Sequence, residues 1–251
     1  MKKAVICKIL KNKEIAKDIY EIFIEKKDVL IESKAGQFLH IKCDHHGSLL
    51  RRPISISSVE DDSLRLVIRR AGKGTEEICT KKEGELLDVL GPLGNGFSID
   101  EFEKSIIIGG GIGVAPLLQV AKEINNKNTK ILLGYRRDPY LVEEFEKYGE
   151  VEIATEDGSY GYRGYVVDLL EKIEDEKIKR VYACGPEVML KIVQKICKDK
   201  NISSQLSVEE KMACGVGTCL VCVCKLNKEK NAYATTCKDG PVFDGDKIIF
   251  D

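Results

Sequence analysis

The chain has 251 residues, with 40 Lys and Arg against 41 Asp and Glu. That length suits one large domain or two or three small ones, and the balanced charge lacks the basic footprint of a nucleic-acid binder. Ten Cys without a secretory signal pattern point to a reducing, cytoplasmic setting with thiols in metal or redox use.

Residues 1–100 read as short strands. Apolar runs at 19–25, 37–42, 51–58 and 64–70 are separated by turn residues, which predicts an antiparallel β-barrel or sandwich. Gly74-Thr75-Glu76-Glu77-Ile78 reads as a helix start with acidic residues in its first turn. From 101 to 205 the period changes. Ser105-Ile106-Ile107-Ile108 is the continuous apolar run of a strand buried on both faces. A Gly-rich turn follows, then a helical run through Glu123. Further strands are expected at 130–135, 151–155 and 180–184, with helices over 165–174 and 187–200. Strand and helix in alternation predict a doubly wound parallel sheet, an α/β domain. Residues 105–121 carry no charge over seventeen positions, but they are Gly-rich and fall short of the ~20 apolar residues of a membrane span. A buried strand, turn and helix explains them, and no membrane association is expected. Residues 206–251 form a small third domain.

The third domain carries the most specific pattern. Cys214, Cys219 and Cys222 stand as C-x4-C-x2-C, and Cys237 follows after fourteen intervening residues. This spacing matches the plant-type [2Fe-2S] ligand set. Gly215 and Gly217 let the backbone wrap a cluster, because Gly takes positive φ without steric cost. Loop N–H groups can then point at the sulfurs. Zinc sites usually pair two C-x2-C knuckles, and only one is present here. Residues 220–226 read as a strand, which would turn Cys222 and Cys224 to one side. The x2 spacing selects Cys222 as the ligand and leaves Cys224 as a packed thiol.

Other motifs admit two readings each. Gly109-Gly110-Gly111-Ile112-Gly113, between a strand and a helix, offers either tight packing or N–H donors for a pyrophosphate. Cys184-Gly185-Pro186 ends a later strand, and ligands in open α/β sheets sit at such carboxyl ends. Arg52-Pro53-Ile54-Ser55 is either an edge strand with a solvated Arg or a phosphate contact. Gly72-Lys73-Gly74-Thr75 before a helix is a second candidate cradle. His45-His46 reads as a loop. Arg136-Arg137 is either a solvated pair or a 2′-phosphate contact. Residues 156–159 read as a turn.

With these residues in view, the chain resembles the ferredoxin reductase superfamily. Within it, the chain is similar to the electron transfer subunits of dihydroorotate dehydrogenase B. The motifs that carry the likeness are Arg52 to Ser55, Gly74-Thr75, Gly109 to Pro116, Cys184-Gly185-Pro186 and the run Glu210 to Gly217. The resemblance implies a flavin-binding barrel (1–100), a nicotinamide-binding α/β domain (101–205) and a [2Fe-2S] domain (206–251). It implies FAD held by Arg52, Pro53, Ile54 and Ser55, with Val67, Ile68 and Arg69 beside it and Gly74 with Thr75 at its pyrophosphate. NAD would meet Gly110, Gly111, Gly113, Cys184, Gly185 and Pro186. Where the superfamily often has Tyr in its flavin motif, this chain has Ile54.

The implied activity is electron transfer in pyrimidine biosynthesis, with no catalytic acid or base in this chain. Electrons would run from a separate FMN-containing dihydroorotate dehydrogenase subunit through the cluster and FAD to NAD⁺. The implied assembly holds two copies of each subunit. The alternative within the superfamily is a small subunit of an NADH-dependent ferredoxin:NADP oxidoreductase or of an anaerobic sulfite reductase.

Overall fold

A computed structural model describes residues 3–43, 49–99, 104–226 and 232–250. The first stretch runs through strands β1 (Lys3–Ala16), β2 (Ile19–Glu25), β3 (Phe38–Ile41), β4 (Arg52–Val59) and β5 (Ser63–Arg69), helix α1 (Lys73–Thr80) and strand β6 (Leu86–Leu93). Among the described residues these strands close into a barrel in the order β1-β2-β5-β4-β3-β6, each pair antiparallel. Closure leaves no unpaired edge. Alternation explains the filling: Cys7, Ile9, Ile22, Ile24, Leu39, Ile41, Leu64 and Leu66 point inward and pack together. Asp18 turns β1 into β2 with φ of 61°. Its carboxylate is clamped by Arg70, which follows β5.

Strand β7 (Lys104–Gly110) then leads through a 3₁₀ turn, Gly111–Gly113, into α2 (Val114–Ile124). Next come β8 (Lys130–Tyr135), α3 (Val142–Glu146), β9 (Glu150–Thr155), β10 (Tyr162–Arg163), α4 (Val166–Glu171), β11 (Ile178–Cys184), α5 (Glu187–Asp199) and β12 (Ser203–Ser207). The chain closes with β13 (Val223–Leu226), β14 (Tyr233–Thr235), β15 (Val242–Asp244) and β16 (Ile248–Ile249). Among the described residues a seven-stranded sheet runs β10-β9-β8-β7-β11-β12-β15. It is parallel except for β15, which pairs antiparallel with β12. The third stretch therefore lends one strand to the sheet of the second. Its remaining strands form a small antiparallel sheet, β14-β13-β16.

Period two sorts the sheet's apolar residues to its two faces. Ile106, Ile108 and Leu132 face α4 and α5, in a core that continues into Cys224, Ala234, Phe243 and Ile248. Ile107, Ile131 and Leu133 face α2 and α3, in a core that reaches Ile19, Val67 and Phe97 of the first stretch. Helix α2 also lies on the barrel. Ser57 donates its hydroxyl to the Ala115 carbonyl at 2.8 Å, and Gln119 accepts from the Val59 amide at 2.8 Å. Buried Arg65 on β5 pairs with Glu21 on β2 and reaches Glu144 on α3 at 2.8 Å. No helix among the described residues is long and apolar enough to cross a membrane.

Candidate functional site

The carboxyl ends of β7 and β11 meet at a glycine contact. A Cβ on Gly113 would stand 2.5 Å from the Cys184 carbonyl oxygen and 2.7 Å from the Gly185 Cα. A Cβ on Gly110 would strike Met189 and Pro186. These two glycines are required for packing. Gly111 differs: its φ is 56° and nothing approaches its Cβ position within 4 Å. Its backbone faces open space, with its carbonyl held by the Tyr140 hydroxyl at 3.0 Å. The packing reading of the Gly-rich turn thus applies at Gly110 and Gly113, and Gly111 is left open.

The open space is a cleft of about 430 Å³. The barrel lines it with Phe38, Pro53, Ile54, Ser55, Val67, Ile68, Arg69, Ala71 and Thr75. The sheet adds Gly110, Gly111, Gly113, Cys184, Gly185 and Pro186, and the C-terminal stretch adds Glu209, Glu210, Met212 and Thr236. Arg52 and Gly74 lie beside the cleft, not on its wall. The Arg52 guanidinium rests on Gly74, where a Cβ would collide with it. It thereby sits over the first turn of α1, whose leading N–H groups have no partner within the helix. Thr75 closes that turn by accepting from the Ala71 and Gly72 amides at 3.0 and 3.1 Å. A cationic side chain over free helix N–H groups is a fit for a phosphate.

Burial pushes the Cys184 thiol up to about 12, against a smaller opposing effect of Ser207, so this sulfur is a neutral part of the wall. Glu210, half-buried, has its carboxyl held above the ordinary range by burial and then by Glu187. Phe38, Ala71 and Thr236 had no signal in the sequence, whereas Met212 falls in the run Glu210 to Gly217. They reach the cleft only through tertiary packing.

Next to this cleft lies the thiol loop. Gly215 and Gly217 adopt φ of 72° and 82°, and Leu220 also turns left-handed at 56°. Loop N–H groups point at sulfur as the spacing anticipates: Val216 and Thr218 donate to Cys214 Sγ at 3.4 Å, and Gly217 donates to Cys237 Sγ at 3.1 Å. None of the ten cysteines forms a disulfide. Cys214 meets Cys219, and Cys237 meets Cys222 with Cys214 also near it. Two thiolates on each of two irons is what a [2Fe-2S] centre takes, and the donor set fits it. Burial raises the Cys214 thiol, but the Val216, Cys219 and Thr218 amides outweigh it and bring it down to about 6. Burial and then Cys222 push Cys237 up to about 12.

The expected strand over 220–226 starts only at Val223, because the left-handed Leu220 breaks it. Cys222 and Cys224 therefore do not share a strand face. Cys222 packs with Phe38, Leu93 and Cys237. Cys224 packs into the core behind α5 and donates to the Ala234 carbonyl at 3.6 Å. Of the lesser motifs, Arg136 and Arg137 are exposed after β8. Asp157 accepts from the Ser159 amide at 3.0 Å in the expected turn. His45 and His46 lie outside the described residues.

A barrel, a parallel sheet and a thiol loop around one cleft define a ferredoxin-reductase-like oxidoreductase. The model for the iron-sulfur cluster binding domain of dihydroorotate dehydrogenase B matches residues 209–249, and that for an oxidoreductase NAD-binding domain matches 107–195. The chain is 41% identical over 244 residues to the dihydroorotate dehydrogenase B (NAD(+)) electron transfer subunit of Caldanaerobacter subterraneus, covering 97% of each chain. It is 41% identical to that of Streptococcus mutans, again covering 97% of each. The chain belongs to this family of electron transfer subunits. A solved structure of an NADH-dependent reduced ferredoxin-NADP oxidoreductase superposes with a TM-score of 0.85 at 30% identity, over 97% of this chain and 89% of that one. A ferredoxin NADP⁺ reductase from Neisseria gonorrhoeae with bound FAD and NADP shares the fold, with a TM-score of 0.64 at 18% identity over 79% and 92% of the two chains.

Proposed function

We propose that this chain passes electrons between a dihydroorotate-oxidising, FMN-containing subunit and NAD⁺, in an assembly with two copies of each subunit working in the cytoplasm. The observation that carries the reading is a single cleft walled by barrel, sheet and C-terminal stretch, with the three-thiol loop and Cys237 against it. The three functional units are taken as 1–100, 101–205 and 206–251. Cys214, Cys219, Cys222 and Cys237 hold the [2Fe-2S] cluster, and the loop amides stabilise charge on its sulfurs. Arg52 and the first turn of α1, with Gly74 and Thr75, hold the FAD pyrophosphate. Pro53, Ile54, Ser55, Val67, Ile68 and Arg69 wall the flavin. Gly110, Gly111, Gly113, Cys184, Gly185 and Pro186 admit the nicotinamide cofactor at the strand ends. When bound, these cofactors supply hydride exchange and single-electron exchange; the protein contributes position and electrostatics. No proton need be moved by a side chain, so no acid–base residue is assigned.

The chain alone should reduce dyes with NADH and leave dihydroorotate untouched. Mixed with the FMN subunit, it should confer NAD⁺-dependent dihydroorotate oxidation. Oxidation of dihydroorotate by the isolated chain, or full NAD⁺ reduction by a mixed complex stripped of its cluster, would defeat the reading. The likeness to the NADH-dependent ferredoxin-NADP oxidoreductase supports a second reading, an electron-input subunit of such a complex. Ferredoxin-linked NADP⁺ reduction in place of dihydroorotate oxidation would favour it.

A further inference from the structure

His40 is a buried polar side chain that the roles above leave unused. It lies on β3 and is fully buried, and neither ring nitrogen has a hydrogen-bond partner within the protein. Its backbone carbonyl, by contrast, is satisfied by Arg51 at 3.2 Å. Leaving a buried polar group unpaired costs about 1–3 kcal/mol, and native interiors rarely tolerate it.

The imidazole is aimed at the thiol loop. A Cβ built on Gly215 would stand 2.5 Å from His40 Nδ1, with the ring's Cε1 and Cγ next nearest. Any side chain at 215 would push the ring away, so Gly215 serves the contact as well as the turn. Period two puts Phe38 on the same face of β3 as His40. Phe38 packs on Cys222 and Cys237 and also lines the cleft. The opposite face of β3, Leu39 and Ile41, fills the barrel. One short strand thus presents a ring to two of the thiols and an unpaired imidazole to the loop that carries a third.

Burial, with the nearby Arg51 charge adding to it, pulls the His40 imidazolium down to about 4. Neutral or charged, the ring keeps an N–H to donate.

We propose that His40 donates this N–H to the sulfur framework of the cluster held by Cys214, Cys219, Cys222 and Cys237, as a positioning and potential-tuning residue. The inference rests on the cluster assignment made above. A hydrogen bond to cluster sulfur stabilises the more negative, reduced state and raises the potential. Removing it should lower the equilibrium constant for reduction about tenfold, or about 59 mV for a one-electron couple.

The test uses the full chain with its cofactors bound, grown with ¹⁵N-histidine and reduced so that the cluster is paramagnetic. Pulsed electron paramagnetic resonance of the unmutated protein should show a ¹⁵N coupling. His40→Leu should remove that coupling and shift the cluster midpoint potential downward by the amount given, with the flavin potential unmoved. If His40→Leu does not fold, a His45→Gln/His46→Gln variant that keeps the coupling assigns it to His40, and one that loses it overturns the proposal. A cluster without any ¹⁵N coupling, or a coupling and potential that survive His40→Leu, overturns the role of His40 and leaves the cluster assignment standing. Absence of iron and visible absorption from the wild-type chain overturns both.

Discussion

Two neighbouring thiols show how a few degrees of backbone settle chemistry. Leu220 turns left-handed, β13 starts late, and Cys222 and Cys224 enter different cores. Replacing Cys214, Cys219, Cys222 or Cys237 by Ser should therefore abolish the visible iron–sulfur absorption and most bound iron. Cys224→Ser should keep both, because that thiol packs in the core behind α5 and donates to the Ala234 carbonyl. Retention of the cluster in Cys222→Ser together with its loss in Cys224→Ser would reverse the assignment. Arg52 is tested through binding. A charge-assisted phosphate contact contributes about 1.5–3 kcal/mol, so Arg52→Ala should weaken FAD retention at least tenfold by equilibrium dialysis. The thiol spacing and Arg52 were legible in the sequence because each is a local pattern. Phe38 and His40 were not, since nothing local distinguishes an apolar or lone polar residue that will face a loop some 175 positions away.

At the scale of elements, what holds the barrel against the sheet is partly ionic. Arg65 and Glu21 are both buried, at 7% and 6% exposure, and Glu144 of α3 joins them from a more open position. Breaking a buried pair strands its partner charge and costs about 3–5 kcal/mol. Lys11 still reaches Glu21 at 2.8 Å, so Arg65→Met should fall at the low end, about 3 kcal/mol by urea unfolding. Glu144→Gln should cost about 1 kcal/mol or less, as for an exposed pair. Equal losses in the two variants would show that burial is not what matters. The buried strands β7, β8, β9 and β11 were readable from their apolar runs. Helix α3 was not, because five residues hold too little periodicity. Strand β1 escaped notice because outward Ile6 and Leu10 are apolar as well, which blurs the alternation with inward Val5, Cys7 and Ile9.

At the scale of the molecule, the third stretch is woven into the second. Strand β15 completes the sheet against β12, and Phe243 and Ile248 fill the core behind α5. Period and spacing reveal a strand but not its partner, so this pairing lay beyond the sequence. A chain ended at residue 205 would lose the end of β12, the whole of β15 and those core side chains. The cut would expose apolar surface and an unpaired sheet edge. Such a chain should elute as aggregates on gel filtration, whereas the full chain with Cys214, Cys219, Cys222 and Cys237 changed to Ser should stay dispersed.

The shared cleft ties ligand supply to folding. Its wall exists only when barrel, sheet and C-terminal stretch are all in place, so a molecule seated there binds the native chain and has no site on the unfolded one. By mass action a ligand at a hundred times its dissociation constant adds about 2.7 kcal/mol to stability, a large share of the roughly 5–15 kcal/mol that holds a typical protein folded. A cell short of the flavin would lose the subunit itself as well as its activity, since the empty chain would spend more of its time open to proteases.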